Sequence, residues 1–117
     1  MSKPTGSNSN TLIRGHLDLL LLSVLRKKRL SGAGIISEAR SRSSEYFDLR
    51  SASVYPALHR LEQAGLILNE EAQTLHRGKT FNIKVYTLTN EGHHELDARR
   101  RAFLVFSKHL ASLWDPG

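Results

Sequence analysis

Cysteine is absent from all 117 residues, so the chain has neither a disulfide framework nor thiolate chemistry. A membrane-spanning run is missing as well. The longest apolar segment, "LDLLLLSVL", is interrupted by Asp18 and Ser23 and is too short to cross a bilayer. The opening residues, "MSKPTGSNSN", are polar and lack the apolar region of a secretion signal. We therefore expect a soluble, cytoplasmic protein with no membrane partner.

Recognisable catalytic patterns are also missing. No glycine-rich loop could cradle a phosphate, and no serine or histidine stands at the spacing of a nucleophile and its base. The segment "EGHHE" would place Glu91, His94 and Glu95 on one helical face, but no second group of metal ligands accompanies it. A polar first turn of a helix is the simpler interpretation. We expect a protein that is not an enzyme and that holds neither a metal nor a cofactor.

Positive charge is what the chain has in excess. It carries 17 lysines and arginines against 11 acidic residues, a formal net charge of +6. Such a balance favours an acidic partner, nucleic acid first and an anionic membrane second. The length suits one small domain, and small domains often gain stability by oligomerising.

The leucine-rich segment predicts a first helix over residues 12–28 with two apolar stripes. One stripe suits the core and comprises Leu17, Leu20, Leu21, Val24 and Leu25. The other comprises Leu12, Leu19 and Leu22 and would need a second partner, which suggests a dimer. A second helix should follow Ser31, a suitable N-cap.

The segment "SVYPALHRLEQAGLI" predicts a third helix over residues 51–64, ended by Gly65. Val54, Leu58 and Leu61 share one side, and Tyr55 lies on the flank. The opposite side carries Ala52, Ser53, Pro56, His59, Arg60 and Gln63. A proline is tolerated only near a helix start, so either Ser51 or Ser53 could be the cap. The sequence leaves that choice open.

Beyond Gly65 the periodicity changes. "TFNIKVYTL" alternates as a strand does, and the link "QTLHRGKT" holds a glycine among basic residues, so we predict a hairpin with a basic tip. A last helix should begin with Thr89 or Asn90 as cap and run to about Trp114. Its apolar residues recur as in a short coiled-coil seam: Leu96, Phe103, Phe106, Leu110 and Leu113.

This order of elements predicts a mainly α fold with a small β-hairpin, a winged helix-turn-helix followed by a dimerisation helix. We expect a flexible tail at 1–10, a DNA-binding domain at 11–89 and the dimerisation helix at 90–117. The later helix of such a motif enters the major groove, while the wing lies along the adjacent backbone or minor groove. The candidate DNA contacts are Ser51, Ser53, Tyr55, Pro56, His59 and Arg60 on the helix and His76, Arg77 and Lys79 on the wing.

The blocks "LIRGHLDLLLLSVL", "SVYPALHRLEQAGLI" and "KVYTLTNEG" resemble the signature segments of the PadR family of bacterial transcriptional regulators. The resemblance implies a homodimeric repressor of a nearby promoter, released by a small aromatic or lipophilic effector or by cell stress. Tyr55 would correspond to the family's backbone-contacting tyrosine. The chain departs from the family where Ala33, not tyrosine, follows Gly32.

The single last helix is similar to that of the short PadR subfamily, in which this helix does most of the dimerising. Some short members bind flat aromatic molecules between subunits with a tryptophan of this helix. The resemblance therefore implies a candidate ligand site at Trp114, Phe103 and Phe106, although a packed dimer seam is the more ordinary role for these residues.

Two other functions fit a winged helix of this size. One is a protein-docking module without nucleic acid, which the basic helix and wing disfavour. The other is a small-molecule carrier built on the dimer. Binding of duplex DNA in a gel shift would distinguish a regulator from the docking module, and tryptophan fluorescence with planar aromatic compounds would report a carrier.

Overall fold

The computed structural model describes residues 4–115, with side chains from residue 10 onward. Five helices and three strands follow in the order α1 (Pro4–Gly15), α2 (Leu17–Val24), β1 (Leu30–Ser31), α3 (Gly32–Arg42), α4 (Ser51–Gln63), β2 (Ile67–His76), β3 (Lys79–Leu88) and α5 (Asn90–Ser112). The predicted mainly α fold with a hairpin is thus confirmed. Over the described range no helix combines the length and apolar character needed to cross a membrane.

The first helix differs from its prediction. Residues 12–28 were expected to form one helix, but the helix is interrupted at His16, between α1 and α2. Gly15, a poor helix former, directly precedes the break. Helix α1 begins at Pro4, inside the segment predicted to be a flexible tail, and residues 1–3 of that segment lie outside the described residues.

The core forms around α2, whose leucines contact α3, α4 and α5. Both predicted stripes of the first helix contribute to it. Leu22 is fully buried, and Leu96 of α5 is 1% exposed. The prediction that these two residues lie in a dimer interface is therefore wrong, because α2 and α5 of the same chain pack together and both side chains are buried in the core. Leu19 is half-buried against the core, while Leu12 is exposed.

Serine hydroxyls form hydrogen bonds at both ends of α3. Ser31 caps α3 as predicted, and its Oγ accepts a hydrogen bond from the Gly34 amide at 3.0 Å. In the link that follows α3, Ser43 Oγ donates to the Ala39 carbonyl at 2.7 Å and accepts from the Phe47 amide at 2.8 Å. These bonds fix the turn that carries the chain from α3 into α4.

The three strands form an antiparallel sheet in the order β1-β3-β2. Strands β2 and β3 pair from Ile67 opposite Leu88 out to His76 opposite Lys79. Only Arg77 and Gly78 remain as the turn, and both have positive φ, 52° and 76°, as a two-residue type I′ turn requires. The wing is therefore longer than predicted, since most of "QTLHRGKT" is strand. Strand β1 has only two residues and was not predicted.

Helix α5 begins against the base of the wing. Thr89 is its cap, and its Oγ1 accepts from the Gly92 amide at 2.9 Å while donating to the Gly65 carbonyl at 2.7 Å. A Cβ at Gly92 would overlap the carbonyl oxygen of Leu66, so only glycine allows this close approach. The capped start aims α5 across α2 and then away from the core.

Candidate nucleic-acid interface

Helix α4 presents a polar face opposite its buried side. Val54, Leu58 and Leu61 are buried in the core, as their spacing predicted. Ala57, which the prediction did not name, is buried with them. At about 3.6 residues per turn, the centre of the outward face falls on Ala52, Pro56, His59 and Gln63, and all four are exposed. The small side chains at the start of this face leave room for close approach of a groove.

The start of α4 differs from both predicted alternatives. Arg50 is the N-cap residue, with an extended backbone and no side-chain capping bond. Its carbonyl accepts from the amides of Ser53 at 3.0 Å and Val54 at 2.9 Å. Neither Ser51 nor Ser53 caps the helix, so both exposed hydroxyls remain available. Pro56 is the sixth helical residue, and because it has no N–H it leaves the Ala52 carbonyl without its helical bond.

Tyr55 lies on one flank of α4 and packs on the start of α3. A Cβ built at Gly32 would overlap the Tyr55 ring, so the ring occupies the space that a side chain there would need. Tyr55 nevertheless stays 45% exposed.

A second contact joins α4 to the wing. The Glu62 carboxylate accepts a hydrogen bond from the side-chain amide of Asn69 in β2. Tyr86 of β3 is buried nearby, and its burial, followed by the negative charge of Glu62, raises the pKa of its phenol. Sequence reasoning missed Glu62 and Asn69, because nothing in the spacing of the residues indicates that they meet.

Arg60 has a different environment from the one predicted. It lies on the flank of α4 opposite Tyr55, and its Nη2 is 2.9 Å from Oδ1 of Asp18 in α2. Oδ2 of the same carboxylate is 3.8 Å from Nη1 of Arg99 in α5. Arg99 Nε in turn donates to Glu95 at 2.7 Å. The ion pair with Asp18 could not be read from positions 42 residues apart.

The wing tip has positive charge without a compensating carboxylate. His76, Arg77 and Lys79 are exposed, and none of them forms an ion pair within the described residues. Cross-strand pairing places His76 and Lys79 side by side on one face of the hairpin. The basic loop before β1 is partly neutralised instead, since Arg29 pairs with Glu70 at 2.8 Å and Lys28 with Glu38 at 3.3 Å.

The second half of α5 exposes a large apolar surface. Phe103, Phe106 and Leu110 fall along one side of the helix, and Phe106 is 61% exposed. Leu113 and Trp114 are exposed and follow directly after the last residue of the helix. Leu104 and Val105, which the seam prediction omitted, are exposed on other sides. The radius of gyration of 16.6 Å exceeds the value of about 13 Å expected for a compact chain of this length, in keeping with projecting elements.

An apolar groove of about 490 Å³ runs between α1, α2 and α3 and ends at Phe103 of α5. Its walls include Leu12, Leu19, Tyr46 and Phe47. The ring of Phe103 meets His16 edge-on, with centroids 5.2 Å apart. Of the predicted ligand residues, Phe103 lines this groove, Phe106 lines a neighbouring cleft that contains Asp18, and Trp114 lines neither.

Helix α4, which we call the reading helix, its supporting helix α3 and the basic hairpin of β2 and β3 together define a winged helix-turn-helix protein. The chain belongs to the family described as "Transcriptional regulator PadR-like family", whose model matches residues 21–98. Members of this family are transcriptional regulators rather than enzymes.

Specific relatives support this assignment. The Negative transcriptional regulator PadR of Bacillus subtilis is 32% identical over 80 residues, which are 68% of this chain and 42% of that protein. Bacillus subtilis PadR in complex with operator DNA has a similar structure, with a TM-score of 0.59 over 70% of this chain and 45% of that one. A PadR family transcriptional regulator of Eggerthella lenta has a TM-score of 0.77 at 26% identity, over 97% of this chain and 94% of that one. The chain thus matches less than half of the Bacillus protein but nearly all of the Eggerthella protein.

Proposed function

We propose that the chain is a sequence-specific repressor that acts in the cytoplasm as a homodimer on an inverted-repeat operator. The observation that carries this proposal is that two features occur in one fold. Helix α4 has an exposed face that begins with small side chains, and the wing tip has basic residues that no carboxylate within the described residues neutralises. Both lie on parts of the fold that a winged helix uses to hold duplex DNA. The operator complex of Bacillus subtilis PadR, a relative of this chain, supports the proposal.

Each candidate residue receives a role from its position. Pro56 and His59, at the centre of the outward face, approach base edges, and the hydroxyls of Ser51 and Ser53 bond to phosphates at the helix start. The exposed part of Tyr55 reaches the backbone beside Ser51. On the wing, His76, Arg77 and Lys79 neutralise phosphates of the adjacent groove. Arg60 can contact a phosphate at the flank of α4 only when its ion pair with Asp18 is broken.

Dimerisation would use the exposed side of α5. Contiguous apolar surface on a soluble chain marks an interface, and Phe103, Phe106, Leu110 and Leu113 form such a surface at coiled-coil spacing. Leu12 of α1 is exposed as well and extends it. Two copies joined in this way would present two α4 helices to half-sites about one turn, roughly 34 Å, apart.

An effector would bind in the apolar groove beside α5. Its volume of about 490 Å³ lies within the range of roughly 300–1,000 Å³ typical of small-molecule sites, and its walls suit an aromatic or lipophilic molecule. Filling the groove with the variant Ser23→Phe should abolish release of DNA by planar aromatic compounds while DNA binding is retained. Release by the same compounds at wild-type concentrations would place the effector elsewhere.

Selection from a pool of random duplex DNA, followed by gel shifts at several salt concentrations, tests the proposed function. We expect enrichment of a palindromic sequence and binding that weakens steeply as salt rises, because lysine and arginine contacts to phosphates release counterions. A failure to enrich any sequence, or retention of DNA that salt does not affect, would contradict the proposal.

A further inference from the structure

The carboxylate of Asp18 lies between the helix that reads DNA and the helix proposed to dimerise. Its two oxygens face Arg60 of α4 at 2.9 Å and Arg99 of α5 at 3.8 Å. Asp18 itself sits in the first turn of α2, and its side chain is 30% exposed. The pair with Arg60 is the shorter of the two, and it neutralises the positive charge that lies nearest to the outward face of α4.

Arg60 is not locked in this pair. Its side chain is 59% exposed, and an exposed ion pair in water is weak enough for one partner to be exchanged. A DNA phosphate arriving at the flank of α4 would therefore compete with Asp18 for the same guanidinium. Arg99 would remain bonded to Glu95 at 2.7 Å whichever partner Arg60 takes.

We infer that Asp18 limits the affinity and the salt dependence of DNA binding by holding Arg60, and this inference rests on the proposed function. By pairing with Arg60, Asp18 weakens one phosphate contact that would strengthen binding to every sequence equally. Phosphate contacts carry no sequence information, whereas base contacts from the centre of α4 do. A weaker contact at the flank thus lowers the affinities for operator and unrelated DNA by the same factor and leaves their ratio unchanged.

The variant Asp18→Asn tests the inference through the salt dependence of binding. The amide has a similar shape but no charge, so Arg60 is free to neutralise one further phosphate. We expect affinity for operator and scrambled DNA to rise alike, and the slope of log affinity against log salt to steepen by up to about 0.9. Between 50 and 200 mM salt, a fourfold change, the advantage of the variant over wild type should shrink by up to about 3.5-fold, since 4 raised to the power 0.9 is about 3.5. The ratio of operator to scrambled affinity should stay close to that of wild type.

Asp97→Asn is the matched control. It raises the net charge by the same amount, but Asp97 faces Arg100 at 3.9 Å on α5 and has no contact with Arg60. We expect its slope to stay close to wild type. The double variant Asp18→Asn with Arg60→Gln should lose the steeper slope, because the freed guanidinium is no longer there. Thermal unfolding of each variant verifies that it is folded.

Arg60→Gln alone provides a test that does not depend on the folding of Asp18→Asn. In the wild-type background it should reduce the salt slope by less than Lys79→Gln does, because Arg60 is already paired. Equal reductions, an unchanged slope in Asp18→Asn, or the same steepening in Asp97→Asn would each overturn the inference. Wild-type protein that retains no DNA at low salt would instead overturn the proposed function, and the inference with it.

Discussion

The ring of Tyr55 in α4 rests on the backbone of Gly32 in α3, in the space where any other residue would place its Cβ. This contact joins the reading helix to the start of its supporting helix. It also leaves part of the ring exposed beside Ser51. Packing and DNA contact are therefore compatible roles for this tyrosine, and the glycine makes both possible.

Gly32→Ala should displace Tyr55 and destabilise the fold by roughly 1–3 kcal/mol, the usual cost of overpacking a close contact. Chemical unfolding measures the change. Gly15→Ala is the control, because a Cβ there meets nothing within 4 Å and alanine favours helix. In a Tyr55→Ala background the cost of Gly32→Ala should largely disappear. An unchanged cost in that background would show that the ring is not what excludes the side chain.

Pro56→Ala should stabilise the protein while weakening its binding to the operator. Alanine restores the N–H that can bond to the Ala52 carbonyl, and proline inside a helix is less favourable than alanine by up to roughly 3 kcal/mol. Pro56 lies at the centre of the outward face of α4, so its loss changes the surface presented to bases. Thermal unfolding and operator titration measure the two effects. Stabilisation with unchanged operator affinity would assign no DNA role to Pro56.

Arg77→Asn isolates the charge of the wing tip from its shape. Asparagine is favoured at the first position of a type I′ turn, so the positive φ of 52° is retained at no cost to the hairpin. We expect the salt slope to become shallower by about 0.9, one phosphate contact, with operator and scrambled DNA affected alike. Lys84→Gln is the control. Lys84 pairs across the hairpin with Glu71, away from the tip, so the slope should stay unchanged. A loss confined to the operator would instead indicate base recognition by Arg77.

Phe106→Lys should split the proposed dimer, because it places a charge at the middle of the apolar side of α5. Sedimentation equilibrium at several concentrations gives the mass. Lys108→Glu, which lies on the other side of the same helix, is the control and should leave the mass unchanged. If Phe106→Lys sediments as the wild-type protein does, the seam assignment is wrong and another surface joins the subunits.

The buried side of α4 is the clearest example of a feature that could be predicted from the sequence. The spacing of Val54, Leu58 and Leu61 predicted the buried side of the helix, and strict alternation predicted the strand that ends in Leu88. Ser31 was predicted as a cap from local hydroxyl chemistry, and Thr89 was one of the two candidates for the cap of the last helix. Such features depend on residues within one turn or one strand of each other. Local sequence is sufficient to determine them.

Leu22 and Leu96 show where that reasoning stops. Leu22 was assigned to a dimer stripe of the first helix and Leu96 to the dimer seam of the last helix. Nothing local could reveal that α2 and α5 pack together and that both residues are buried in the core. The partner of Arg60 was equally inaccessible, since Asp18 lies 42 positions away. Periodicity and charge by themselves determined a basic winged helix-turn-helix with a final apolar helix. Only the tertiary structure decided which apolar faces are already covered and which arginine is already neutralised, because both depend on contacts between elements far apart in the chain.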